Sequence, residues 1–155
     1  MNSKVNTKLA KAIVLILIEG HEPVYKTKLN KLLFYAQFLY AKKYKGDLLG
    51  KNFIKDYYGP TIDDLDYELK ILEGQGIISL NNNGYGTLIY PRVKFKNENY
   101  TPQEREVLQM VANKFKGVNV NEIIEISHKE PLWIDTPIKQ VISLDKAEEL
   151  VQFVG

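Results

Sequence analysis

The sequence contains no cysteine. Disulfide staples and thiolate metal sites are excluded, and an intracellular, reducing home is allowed but not required by this absence; the expected setting is cytoplasmic. Histidine is scarce. His21 and His128 stand alone, neither with a second histidine at ligand spacing, so no zinc site is expected. Long hydrophobic runs are missing as well. The longest, Ala12 to Ile18, has seven residues, against the roughly 20 that a membrane helix needs. Lys4, Lys8 and Lys11 precede it as they would in a signal peptide. Glu19-Gly20-His21-Glu22 then follows where a leader would carry small residues, so neither a leader nor a membrane span is expected. Also absent are a phosphate loop of the Walker type and a serine in a G-x-S-x-G setting; Gly84-Tyr85-Gly86 reads as a hairpin turn. Asp63, Asp64, Asp66 and Glu68 look superficially like the carboxylates of a metal nuclease. They spread around an amphipathic helix and read as its solvated face. His128, near a helix C-terminus, reads as an imidazole held by backbone carbonyls rather than as a general base. The expectation is a chain with no catalytic residue, no cofactor and no metal.

What is present is the composition of an ordinary soluble protein. The 155 residues are 45% hydrophobic and 26% charged, enough for one domain, residues 1–155, around a real core. Net charge is only +2, but it is unevenly placed. Residues 1–55 hold eleven lysines against Glu19, Glu22 and Asp47, a local charge of +8, and the remainder carries −6. A basic N-terminal third suits an acidic partner, protein or nucleic acid. It equally suits a lysine-rich solvated helix face.

The apolar spacing predicts five to six helices and one small antiparallel β-sheet or hairpin, a mainly helical α+β domain. A first helix is expected over 5–18. Thr27 would cap a second, running to about Tyr44, with Leu29, Leu32, Leu33, Ala36, Tyr40 and Tyr44 on its apolar face. Phe34, Tyr35, Phe38 and Tyr40 do not all fit that face, so some must meet a second surface, in this chain or on a partner. Residues 77–80 and 87–90 read as a hairpin across the turn signal Asn81-Asn82-Asn83-Gly84. Pro91 places the second strand at an edge or ends it, and Arg92 to Lys96 alternates as if to extend it. Thr101-Pro102-Gln103-Glu104 is a capping box opening a helix to about Lys116. Asn119 can cap a shorter one ending near His128. Lys129 to Trp133 reads as a loop, and Ser143 caps a last helix.

The stretch Phe53 to Leu72 organises the rest. An aromatic strand, Phe53 to Tyr58, is expected to stop at Gly59-Pro60. Thr61 would then cap an acidic helix with Asp63 and Asp64 in its first turn and Ile62, Leu65, Leu69 and Leu72 inward. Tyr57 and Tyr58 sit at the corner, as a buried aromatic pair or as a contact surface. Two binding readings follow. In one, helices, a Gly-rich hairpin and a basic second helix make a winged-helix-like DNA binder. In the other, the chain is a protein-binding module.

Three segments carry a resemblance. Lys28-Leu29-Asn30-Lys31-Leu32-Leu33-Phe34-Tyr35-Ala36-Gln37 resembles the K-L-x-K-L-x-x-x-A-Q segment of the Panacea domain, the SocA/GepA-type antitoxin domain. Tyr58-Gly59-Pro60 matches its Y-G-P corner, and Ser127-His128-Lys129-Glu130-Pro131-Leu132-Trp133 is similar to its T-H-x-x-x-x-W segment. Asp56, Thr61 and Ser127 depart from the residues frequent in the family. The resemblance implies an antitoxin, often from phage, prophage or defence loci, that neutralises a cognate toxin by direct protein contact. One branch of the family also delivers its toxin to a protease. Contact with the toxin is then expected at Tyr57, Tyr58, Thr61 and Asp64 around the corner and at Lys31, Tyr35 and Phe38 on the second helix. Gly59, Pro60, His128 and Trp133 are expected as scaffold.

Overall fold

The computed structural model describes residues 6–92 and 99–153. Its centre is a helix, α2 (Lys26–Tyr44). This segment has neither glycine nor proline and is rich in Leu, Lys and Ala, all good helix formers. From Lys28 to Leu39 every residue is buried. The aromatics that did not fit one face are accommodated because α2 is enclosed: α1 (Thr7–Gly20), α4 (Pro102–Phe115), α5 (Val120–His128), strand β3 (Gly59–Ile62) and a 3-10 helix (Leu144–Glu149) all pack on it. Phe34, Phe38 and Phe53 form one ring cluster, and Tyr35, Phe115 and Phe153 another. Each fully buried Leu, Ile or Phe contributes about 1.5–3 kcal/mol relative to exposure.

Thr27 does not cap α2. The short strand β1 (Val24–Tyr25) runs directly into the helix, Tyr25 takes the N-cap position, and no side chain caps it. Pairing with β5 (Gly86–Pro91) fixes that entry. The helix ends at Lys45, which turns left-handed at φ 59° and donates its N–H to Ala41. β4 (Ile78–Asn83) completes a sheet in the order β1-β5-β4. The asparagines belong to β4 rather than to the turn, which is the two residues Gly84-Tyr85. Pro91 ends β5, which is the central strand of this sheet and not an edge. The expected extension over Val93 to Lys96 lies outside the described residues.

The corner differs most from expectation. β2 (Phe53–Asp56) and β3 form an antiparallel hairpin with Asp56 opposite Gly59, so Tyr57-Tyr58 is the turn and Gly59-Pro60-Thr61 is strand. Proline is tolerated in β3 for a definable reason. Its partner Lys55 turns its N–H and C=O to the other side, to Gln140 O at 2.9 Å and Lys139 N at 2.7 Å, and requires no ladder bond from Pro60. Thr61 therefore caps nothing. Helix α3 (Leu65–Gly74) begins later, and Ile62 enters the core from the strand. The capping box of α4 and the Asn119 cap of α5 are present as expected. Pro131–Ile134, expected as loop, is a short helix, α6. Ser143 caps the 3-10 helix by accepting from Asp145 N.

Candidate interaction site at the β2–β3 corner

Three parts of the chain meet under the hairpin. Gly59 is the contact point. Its φ is +108°, and a Cβ there would lie 2.7 Å from Lys31 Cε and 3.0 Å from Ser127 Oγ. Only a residue without a side chain lets β3 settle on α2 and α5 this closely. Asn30 Oδ1 accepts from Ile62 N at 3.0 Å and holds β3 from below. Gln37, one turn pair further on, accepts from Leu49 N at 2.9 Å and donates to Asp47 Oδ1 at 2.7 Å, fastening the loop that leads into β2.

Lys31 lies beneath this contact with 1% of its surface exposed. Among the described residues its ammonium makes no hydrogen bond or ion pair. Burial pulls it down to about 8, and Asp56 opposes that shift by its charge. Asp56 itself is held by Lys139 Nζ at 2.8 Å and accepts from Tyr57 N, which keeps its carboxyl below the usual range. His128 lies flat on Trp133, ring centroids 4.1 Å apart and planes within 8°. Lys55 Nζ sits 4.1 Å over the indole and donates to Ile134 O at 3.2 Å. The expected carbonyl partners of His128 are not there. Its Nε2 and the indole Nε1 are buried without partners among the described residues. Burial and the charges of Lys31 and Lys55 push the imidazole pKa down.

Tyr57 and Tyr58 are 67% and 72% exposed at the hairpin tip. They are a surface pair, not a buried corner. Lys31, Tyr58 and Thr61 line one cleft of about 360 Å³ between α2, the hairpin and the start of α3. Tyr57 faces the other way, toward Lys139, whose Nζ is 5.4 Å from its ring centre. Asp64 is separate again, exposed and bound to Lys51 Nζ at 2.7 Å, which also reaches the buried Glu68 at 2.9 Å. Tyr35 and Phe38, expected as contact residues, are 0% and 1% exposed and belong to the core. Tyr35 Oη donates to Glu130 Oε2 at 2.9 Å; burial and that carboxylate push the phenol far above its usual pKa.

The sequence reading passed over Ile134, Ile138 and Val141. All three are about half exposed beside β2, where residues 139–142 bond along the strand. The signal was an alternation, with Ile142 buried and Val141 out, in a segment too irregular to read as a strand. Burial also removes the surface on which duplex binding rested. α2 has no free face between Lys28 and Leu39, and Asn30 and Gln37 are committed to the protein's own backbone. The basic third is largely spent internally, in Lys11–Glu104, Lys26–Asp66, Lys28–Glu22, Lys43–Glu106, Lys45–Glu148 and Lys51–Asp64 pairs.

The family model described as antitoxin SocA-like, Panacea domain, matches residues 29–134. The chain belongs to this family. The match begins inside α2 and ends with α6, so it takes in all of the hairpin, both buried residues Lys31 and Glu130, and the His128–Trp133 stack. Neither a curated protein nor a solved structure matches the chain. In this Panacea domain the three segments that carry the resemblance are therefore not scattered motifs. Lys31 and Ser127 both touch the Gly59 position, and Trp133 stacks on the residue after Ser127. Among the described residues no helix is long and apolar enough to cross a membrane, and no group of three or more His, Asp or Glu stands ready for a metal.

Proposed function

We propose that this chain is the antitoxin of a toxin–antitoxin pair and that it neutralises its cognate toxin, a protein, by direct contact through the β2–β3 corner. Family membership supports the antitoxin role. The observation that carries the choice of surface is the tyrosine pair. Two adjacent large aromatics stand 67% and 72% exposed on a two-residue turn whose base is locked by Gly59 and Asn30. A rigid tip loses little freedom on binding, and tyrosines are favoured as interface anchors. Thr61 lines the cleft beside Tyr58, Asp64 stands apart on Lys51, and Ile134, Ile138 and Val141 are exposed on the segment that runs to and along β2. The setting is cytoplasmic, in a phage, prophage or defence locus where toxin and antitoxin genes lie side by side. No step in this reading needs a catalytic group or a cofactor.

The test is co-expression with the adjacent reading frame in a bacterial growth assay. The neighbour should arrest growth alone, be harmless beside this chain, and co-purify with it. A neighbour that stays toxic and does not co-purify contradicts the reading.

A further inference from the structure

A buried lysine with no partner is unusual. Lysine is almost never fully buried unless paired, because its charge loses water and gains nothing. Lys31 is 1% exposed, it lines the cleft beside Tyr58 and Thr61, and its end is pressed under the backbone of Gly59. Three of the acceptors nearby are already occupied. Asp66 holds Lys26 at 2.7 Å, Asp56 holds Lys139 at 2.8 Å, and the Asn30 carboxamide oxygen holds Ile62 N. What is left is one positive charge without a hydrogen-bond partner on the cleft wall, which Thr27, Thr61 and Tyr58 also line.

The charge count of that wall selects the ligand. Three aspartates, Asp56, Asp63 and Asp66, stand against Lys26 and Lys31. Such a wall repels a phosphate dianion and any polyanion, nucleic acid included. A single carboxylate that pairs with Lys31 brings one negative charge rather than several and meets the least of that repulsion. Tyr58 lines the cleft, so a partner seated on Tyr58 can bring an acidic side chain to the wall.

We infer that the cleft beneath Tyr58 is a carboxylate-binding subsite of the partner interface, in which Lys31 receives one Asp, Glu or C-terminal carboxylate of the toxin. This rests on the antitoxin reading for its partner, but not for its chemistry. Two measurements separate them. The first uses the purified chain with ¹³C-labelled lysine and titrates sodium acetate against sodium chloride at equal ionic strength. The Lys31 ε-carbon resonance, identified by its loss in Lys31→Met, is expected to move saturably with acetate and not with chloride. Equal response to both salts overturns the subsite. The second uses the product of the adjacent reading frame. Wild-type chain is expected to bind it, and Lys31→Met to bind at least about tenfold more weakly, one charge-assisted contact or more, with a melting temperature no lower than wild type. Equal affinity of Lys31→Met overturns the inference while leaving the antitoxin reading standing. If acetate binds but the neighbour neither binds nor is neutralised, the antitoxin reading fails, and the toxin as source of the carboxylate fails with it.

Discussion

Lys31 costs the free protein stability. Its folded pKa is about 8 against 10.5 for the free side chain, so the fold penalises the charged form. Below pH 8 the side chain is charged in both states and the penalty is complete. Between 8 and 10.5 the unfolded chain holds the proton and the folded chain does not, so stability rises with pH and the penalty disappears. Replacing a buried charge by an apolar residue of similar volume is often stabilising by about 1–4 kcal/mol. Lys31→Met should therefore raise the unfolding free energy in urea by about 1–3 kcal/mol at pH 7, and the gain should shrink toward zero by pH 10.5. A loss of stability at pH 7 would mean that Lys31 is paired in the folded chain. His128 acts over a lower range. Its pKa is depressed below 6.5 by burial, Lys31 and Lys55, so its contribution is intact above 6.5 and is lost as pH falls through the folded value. Thermal unfolding from pH 7 to 5 should show a steeper fall for wild type than for His128→Phe, which keeps the stack on Trp133. Trp133 is the sole tryptophan, and its fluorescence should report that protonation directly.

At the scale of elements, the hairpin is held by position rather than by sequence-local signals, and this is why its limits were misread. Gly59-Pro60 looks like a stop and Thr61-Ile62-Asp63-Asp64 like a cap with a first turn. The deciding contacts are distant: Lys139 and Gln140 on the far side of Lys55, Lys31 and Ser127 under Gly59. None of these is visible from neighbouring residues. The local signals that succeeded were of another kind. The Thr101–Glu104 capping box and the Asn119 cap involve side chains three residues from the atoms they bind, so the sequence contains both partners. The buried aromatics of α2 show the limit of periodicity. A helix enclosed on all sides has no polar face to read, and its lysines read as a basic surface. Gly59→Ala tests the hairpin's dependence on that distant contact. The new Cβ meets Lys31 Cε at 2.7 Å in a backbone conformation that L residues rarely adopt, so a loss of about 2–4 kcal/mol is expected in chemical unfolding. Wild-type stability in this variant would mean that the hairpin does not sit on α2.

For the whole molecule, Glu130 is the tie. It is fully buried, and its carboxylate accepts from Tyr35 Oη at 2.9 Å, from Val151 N at 2.8 Å and from Gln152 N at 3.3 Å. One side chain thus joins the central helix, the α5–α6 junction and the end of the described chain, where Phe153 packs on Tyr35 and Phe115. The sequence shows Glu130 only as an acid before a proline. Glu130→Ala leaves a buried phenol and two backbone N–H groups without an acceptor and should cost about 2–4 kcal/mol in urea unfolding. Retained stability would mean that this junction does not hold the chain end. The internal pairing of lysines from the first third with carboxylates elsewhere has a similar effect on the field of the molecule. It leaves a nearly neutral body whose most exposed aromatic feature, apart from Tyr85 on the other hairpin, is the tyrosine corner. The proposed neutralisation therefore rests on a small local contact rather than on net charge.

The most direct measurement is the affinity of the purified chain for the product of the adjacent reading frame by titration calorimetry, with Tyr57→Ala/Tyr58→Ala compared with wild type. Both rings are exposed, so the double variant should melt within a degree or two of wild type, as surface substitutions do. Two interface anchors removed together should weaken binding by about 2–4 kcal/mol, roughly 30- to 1000-fold. Unchanged affinity with an unchanged melting temperature would contradict the corner as the neutralising surface.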